Sequence, residues 1–504
     1  MRQLSRSLPA FVMPLLLIFS CACSKQPAKG GYQIERIVLS PSSLDMVVGD
    51  KAELSAHPSP SVANALPFAW ESTDAAVATV NGGEVTAIAP GTAQIMVSYQ
   101  GTCATAEVSV REKTPVDPVN PDTDRDERAV MYSAALSEAN MPAEIETNGQ
   151  GSYTAEGLLI DKTSGIVKLN RFYALAERAV RYRIVPSNDA VFLMRSSEGD
   201  FAATVNISTK EITINTTPST TAAASFLEGN REYEVEIKHV YQSQTVTVTD
   251  VASGQTASVT AVNDGEGGCG QGKINDGFYV GPGWDHYCFG LQSGSCLLVK
   301  GITVEALKDK VKLLLYGDSI TQPECYYPTA NFGEAYTQLV IDRLKGDAMS
   351  SGRGGGTINT LLEYIVNELP YIKAEYVMVT IGTNGGNTLD NLSQIIEYIR
   401  SQGSIPILNN MPCNESGTQC SAEFGGNPVI AQIREKYGIS GARLDIATSL
   451  DGDGKAVDKS KMYLEDYSNY PAPYTGWQIY HHPNPEGGRA MFEQIVQDLP
   501  ELFD

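Results

Sequence analysis

The chain has 504 residues, 42% of them hydrophobic and 19% charged. That is too long for one ordinary core of roughly 100 to 200 residues and too apolar for disorder. A formal net charge of -22 argues against a nucleic-acid partner, because binding a polyanion needs a basic face that releases counterions, and it fits a solvated acidic surface.

Arg2 and Arg6 precede a short apolar run, Leu8 to Phe19. The run is too short for an ordinary membrane span and suits the core of a secretory signal. It stops at Ser20-Cys21-Ala22-Cys23, and residues 1–23 resemble the bacterial lipoprotein signal, in which a cysteine becomes the lipidated first residue of the mature chain. Cys21 and Cys23 both fit, and the polar tether SKQPAKGG directly after Cys23 favours that position. An ordinary cleaved signal with incidental cysteines is the alternative. The resemblance implies an exported protein held by lipid alone at the cell envelope, at the outer membrane or cell surface.

Seven further cysteines follow: Cys103, Cys269, Cys288, Cys296, Cys325, Cys413 and Cys420. An odd number in an oxidising compartment leaves at least one thiol unpaired. Cys413 and Cys420 flank a short polar loop and are the candidate disulfide. No CxxC or His-Cys spacing supports zinc.

In residues 33–112 the segments IERIVLS, KAELSAH, FAWEST, VATV, GEVTAIA and AQIMVSYQ alternate apolar with polar residues, and turn residues separate them. Half-buried strands have that period, and so many short strands in one stretch suit a two-sheet sandwich. The run WESTDAAVATVNGGEVTAIAPGTAQI, from Trp70 to Gly91 and beyond, resembles the bacterial Ig-like group 2 domain. It implies a spacer or adhesion module with Trp70 in the core. Residues 113–127, KTPVDPVNPDTDRDE, hold three prolines among acids and read as a stiff linker.

Residues 128–305 are again strand-like, as in VRYRIVP, VFLMRSS, TVNIST, EITINTT, EYEVEIKHV, QTVTVTDV and QTASVTAV. They predict a second β-sandwich, and the region loosely resembles concanavalin-like jelly rolls. Trp284, His286 and Tyr287 form either a sugar-stacking platform or a buried aromatic corner.

From residue 306 to 504 the pattern changes. VKLLLYG, EYVMVTIG, IPILNN and ARLDIAT read as apolar strands with helical segments between them. Leu392, Ile395, Ile396 and Ile399 lie on one helix face. In NPVIAQIREKYG, Asn427 stands at the N-cap position, Pro428 at the first helical position and Gly438 just past the end. Strands alternating with helices predict a parallel sheet covered on both faces, with its chemistry at the carboxyl ends of the strands.

Three blocks fall at that edge: YGDSITQPE with Ser319, SGRGGGTI with Gly355, and TIGTNGG with Asn384. A fourth, YHHPNPEGG, carries the only two histidines of the region, His481 and His482. Together, and in this order, they resemble the SGNH or GDSL-like hydrolase superfamily, a flavodoxin-like, three-layer fold of esterases. The resemblance implies Ser319 as nucleophile, His482 as general base, and an oxyanion hole formed by Ser319, Gly355 and Asn384. His481 is then a neighbour that meets substrate or solvent. Asp318 braces the turn.

The family commonly reads Asp-x-x-His, but Ile479 stands three residues before His482. Three outcomes remain open. A backbone carbonyl or Gln478 orients the ring in a dyad, a remote acid such as Asp445 or Asp466 does, or activity is weak. GTNG in place of the commoner GTND alters the loop after Asn384. DGDG at 451–454 lacks the closing glutamate of a calcium loop and reads as a surface turn. No metal or cofactor is required.

These readings predict an exported serine esterase that removes acetyl or similar small acyl groups from polysaccharide. Tyr326, Tyr327, Tyr474, Trp477 and Tyr480 are candidates for a sugar platform. A glycan-binding surface protein with a vestigial hydrolase domain is the alternative from another class, and a lipid esterase is the third reading.

Overall fold

The computed structural model describes residues 34–504 apart from 61–65, 112–126, 164, 197–201, 216–218, 263–285, 324–326, 328, 416–425, 467–475 and 477. Cys21, Cys23, Trp284, Cys325, Tyr326, Cys420, Tyr474 and Trp477 lie outside the described residues, as does nearly all of the Pro-rich linker. No helix among the described residues is long and apolar enough to cross a membrane. The chain forms two compact units, one ending at Val119 and one beginning at Asn120.

The first unit is built from short antiparallel strands and one parallel pair. Ser43–Val47, Thr102–Arg111, Gly91–Tyr99 and Ala69–Ser72 make one sheet, and Lys51–Glu53, Glu84–Ala87 and Ala78–Asn81 make another. Their alternation buries Ile95, Val97, Val108 and Val110 on one side and leaves polar residues outside. Trp70 is half-buried and packs on that core rather than inside it.

The second unit opens with two large antiparallel sheets. One runs through Leu297–Ala306, Glu177–Pro186, Tyr233–Val240, Ser243–Asp250 and Thr256–Val262, and the other through Val167–Phe172, His286–Ser293, Val191–Ser196 and Ala202–Asn206. The early strands, such as Gly151–Tyr153 and Leu158–Ile160, are too short to show a period in the sequence. Tyr287 is buried and its hydroxyl oxygen accepts from Arg178 Nε at 2.7 Å, so it belongs to an internal corner and not to a sugar platform.

The rest of the unit alternates strands and helices. Strands β1 (Lys310–Gly317), β2 (Ala348–Gly352), β3 (Lys373–Thr380) and β4 (Ile405–Leu408) form a parallel sheet in the order β2-β1-β3-β4. Helices α1 (Tyr336–Arg343), α2 (Ile358–Glu368), α3 (Leu389–Ser401) and α4 (Gly426–Tyr437) lie between them in sequence or follow the last strand. The buried stripe of α3 holds Leu392, Ile395, Ile396 and Ile399.

Two local expectations change. ARLDIAT is not a strand: Leu444–Thr448 is a helix, α5. Leu444, Ala447 and Thr448 are buried at helical spacing, while Ser440 and Ala442 carry the contact with the end of β4 through the bonds Leu408 N to Ser440 O and Asn410 N to Ala442 O. A short apolar run does not reveal which period it follows. Asn427 lies inside α4 rather than capping it. Its buried side chain accepts from Met411 N at 2.8 Å and donates to Met411 O at 3.1 Å, fixing the chain beyond β4. Gly438 does close the helix, with φ +60°.

Last come strands β5 (Met462–Asp466) and β6 (Gln478–Pro483), which pair as an antiparallel ribbon, and helix α6 (Pro485–Asp498), capped by Asn484.

Candidate active site

Strand β1 ends at Gly317, where no side chain fits: a Cβ would collide with Thr321 Oγ1 and with the Thr380 carbonyl oxygen. The chain then turns at once. Asp318, fully buried, accepts from Ile320 N at 3.1 Å and from Thr383 N at 3.3 Å, tying the turn after β1 to the turn after β3. Burial pushes its carboxyl above the ordinary range, while the two backbone donors and the charge of His482 oppose that. Asp318 therefore braces the turn that presents Ser319.

Ser319 Oγ lies 2.8 Å from His482 Nε2, and His482 Nδ1 lies 2.6 Å from Glu465 Oε1. The same carboxylate oxygen accepts from His482 N at 2.9 Å. All three side chains are nearly sealed, with Ser319 4% exposed, His482 3% and Glu465 0%. A hydroxyl, an imidazole and a carboxylate in this order can move a proton off the hydroxyl oxygen and steady the imidazolium that results.

The orienting group is thus neither Gln478 nor Asp445. Gln478 is exposed at the start of β6, and Asp445 is held in a two-pronged ion pair by Arg443, at 2.9 Å and 2.8 Å. Asp466 is one position along β5 from the residue that reaches the ring. Glu465 is the cross-strand partner of Ile479. The acid expected at position 479 is supplied instead by the facing residue of the neighbouring strand.

The pairing also explains the two histidines. Leu464 faces Tyr480 and Met462 faces Pro483, so Tyr463 alone opposes both His481 and His482. This is a β-bulge, which re-aims side chains that would otherwise alternate across the ribbon. The two rings consequently stack, with centroids 4.3 Å apart and planes 3° from parallel. His481 is buried, and burial together with the charge of His482 pulls its pKa down to about 4. It is a neutral plate beside the imidazole that touches Ser319.

Glu465, His481 and His482 each offer a ligand atom, and the three atoms lie within 4.8 Å of one another. They do not suit a resident metal. Both nitrogens of His482 are engaged by Ser319 and Glu465, and parallel rings do not aim their lone pairs at one point.

The glycine loop reaches the same edge. Arg353 N donates to Gly317 O at 3.1 Å, Gly354 N to Gln322 Oε1 at 2.6 Å, and Asn384 Nδ2 to Gly356 O at 3.0 Å. Gly355 is exposed at the tip with φ +67°, a conformation that favours glycine. Three loops, carrying Ser319, Gly355 and Asn384, are therefore laced together. Tyr480 sits outside this set: its N–H donates to Glu415 Oε2 at 3.1 Å, and Lys459 Nζ lies 4.9 Å from its ring centroid. Tyr327 is buried and donates to Asn484 O at 3.3 Å, so it supports the turn after His482 and cannot be a platform. Cys413 is disulfide-bonded, and its proposed partner Cys420 is outside the described residues.

Residues 33–108 match the bacterial Ig-like domain (group 2) family. No curated protein matches the chain. Among solved structures, a GDSL-like lipase from Bacteroides thetaiotaomicron is similar over 38% of this chain and 88% of its own, with 16% identity and a TM-score of 0.26. A putative acylhydrolase from Bacteroides fragilis is similar over 39% and 89%, with 15% identity and a TM-score of 0.26. The winged bean acidic lectin, complexed with methyl-alpha-D-galactose, is similar over 36% and 99%, with 12% identity and a TM-score of 0.26.

Proposed function

We propose that this protein is a serine esterase of the SGNH, GDSL-like type, with a flavodoxin-like three-layer domain at residues 306–504. The observation that carries the reading is the relay Glu465–His482–Ser319, with spans of 2.6 and 2.8 Å.

Ser319 donates its hydroxyl proton to His482 Nε2 as Oγ bonds to the ester carbonyl carbon. His482 Nδ1–H donates to Glu465, which fixes the tautomer and offsets the imidazolium charge. The backbone N–H groups of Ser319 and Gly355 and the second N–H of the Asn384 amide stabilise the tetrahedral oxyanion, one such donor being worth about 3 kcal/mol. The imidazolium then protonates the departing alkoxide, the C–O bond breaks, and an acyl-Ser319 ester remains. Water, deprotonated by His482, attacks that ester and frees the acid.

The substrate is a small acyl ester, acetyl above all, carried by polysaccharide outside the cell. Near-complete burial of Ser319 favours a small acyl group, and the Ig-like family match at residues 33–108 together with the lipoprotein-like N-terminus favours the cell envelope. Ile479 is the best support for a vestigial domain, and the Glu465 carboxylate 2.6 Å from His482 Nδ1 counts against that reading.

Hydrolysis of p-nitrophenyl acetate by the full chain and by Ser319→Ala tests the proposal. Wild-type turnover with a silent variant is expected, and equal slow rates in both would refute it.

A further inference from the structure

Strand β2 is an edge of the parallel sheet and runs directly into the glycine loop, so whatever covers that edge controls where the loop sits. What covers it comes from the second sandwich. Leu175 bridges to Ser351 in antiparallel fashion, and Ala176 N donates to Ser350 O at 2.9 Å. Glu368, the last residue of α2 and fully buried, accepts from Ala174 N at 2.6 Å, Leu175 N at 2.9 Å and Ser351 Oγ at 2.7 Å. One carboxyl group clamps the sandwich connector to the strand that leads to Gly355.

Phe172 makes the second half of the junction. Its ring packs edge-on against Tyr364 at 5.3 Å between centroids, and the Arg353 guanidinium lies 5.8 Å from its centroid. Tyr364 in turn donates to Gly317 O at 3.2 Å, and Asn367 donates to Phe172 O at 3.0 Å. Phe172 therefore touches the residue that starts the glycine loop and the residue that steadies the approach to Ser319. The sandwich reaches the other arm too, since Gln242 Nε2 donates to Tyr327 O at 3.2 Å, and Tyr327 holds the turn after His482.

We propose that Phe172 and Glu368 are positioning residues through which the second sandwich sets the oxyanion loop against Ser319, so that the sandwich is part of the catalytic apparatus. This rests on the esterase reading above. A displacement of about 1 Å in such a loop costs on the order of 100-fold in rate, so modest loosening should be visible in turnover while the fold survives.

Phe172→Leu and Glu368→Gln, each in the full chain, should lower kcat on p-nitrophenyl acetate roughly 10- to 100-fold and leave KM within about two-fold. Amide hydrogen exchange should accelerate at residues 353–356 and stay unchanged in the sandwich strands. Wild-type kcat in a folded variant would overturn the proposal, as would a rise in KM at constant kcat or faster exchange throughout the unit. If the wild type and Ser319→Ala hydrolyse the ester equally, the esterase reading falls. The exchange arm then decides the clamp alone: acceleration confined to 353–356 keeps it, and no change removes it.

Discussion

The two β-sandwiches of this chain differ less in their strands than in what their cores join. The Ig-like core is composed of residues from its own strands and the turns between them, Ile37 to Val110. The second sandwich has no such closed core: one continuous cluster runs from Leu169 and Phe172 through Tyr316 and Ile358 to Leu361, Tyr364 and Ile365, and so into the parallel sheet and its helices. Strand patterns alone would call both of them accessory modules. Contiguous packing separates a module with a core of its own from one that shares its core with the parallel sheet and its helices.

The largest effect expected from probing this contrast is at Glu465. Glu465→Gln should lower kcat by about 10⁴-fold, because the amide no longer enforces the tautomer that leaves Nε2 free, whereas Gln478→Ala should stay near wild type. Asn384→Ala should cost roughly 10²- to 10³-fold in kcat, the usual result of removing one oxyanion donor.

Acid offers a sharper division between the units. His481 and His239 are buried in the second unit, and burial holds both neutral, with His481 lowered to about 4 and His239 well below 6.5. At these two side chains the unfolded chain binds more protons than the folded one between those values and 6.5. Their contribution to stability is therefore complete above about pH 6.5 and is lost as pH falls towards 4. Buried Asp318 and Glu368, whose carboxyls burial raises, act in the opposite direction over the same interval, so the histidine contribution is read as a difference: by calorimetry the transition of the second unit in His481→Phe should rise relative to wild type as pH falls from 6.5 towards 4.

The smallest effect belongs to the Ig-like unit. Ile95→Ala should destabilise it by about 2 to 5 kcal/mol through the cavity it leaves, and ester hydrolysis should not change. A fall in kcat with that substitution would erase the difference between the two sandwiches.

Much of the site was legible because its parts announce themselves locally. Ser319 follows an apolar strand at a turn that only glycine at 317 permits, and Asn384 stands in the turn after the next such strand, β3. Glu465 was not legible, because its role depends on which residue faces Ile479 across a ribbon, and register is not written in either strand alone. The available signal was an acid inside a strand-like run ahead of the histidines, and it pointed as readily to Asp466. The stacked His481 was hidden for a related reason: adjacent strand residues normally face opposite ways, and only the bulge brings both rings together. The fusion of the second sandwich was hidden as well, since Leu175 and Ser351 are remote in sequence and joined by a single bridge.

The relay itself is tested most directly by a fluorophosphonate that captures an activated serine. Peptide mapping after treatment of the full chain should find one adduct, on Ser319, formed fast in the wild type and not at all in His482→Ala. An unlabelled Ser319, or labelling that survives loss of the imidazole, would contradict the account.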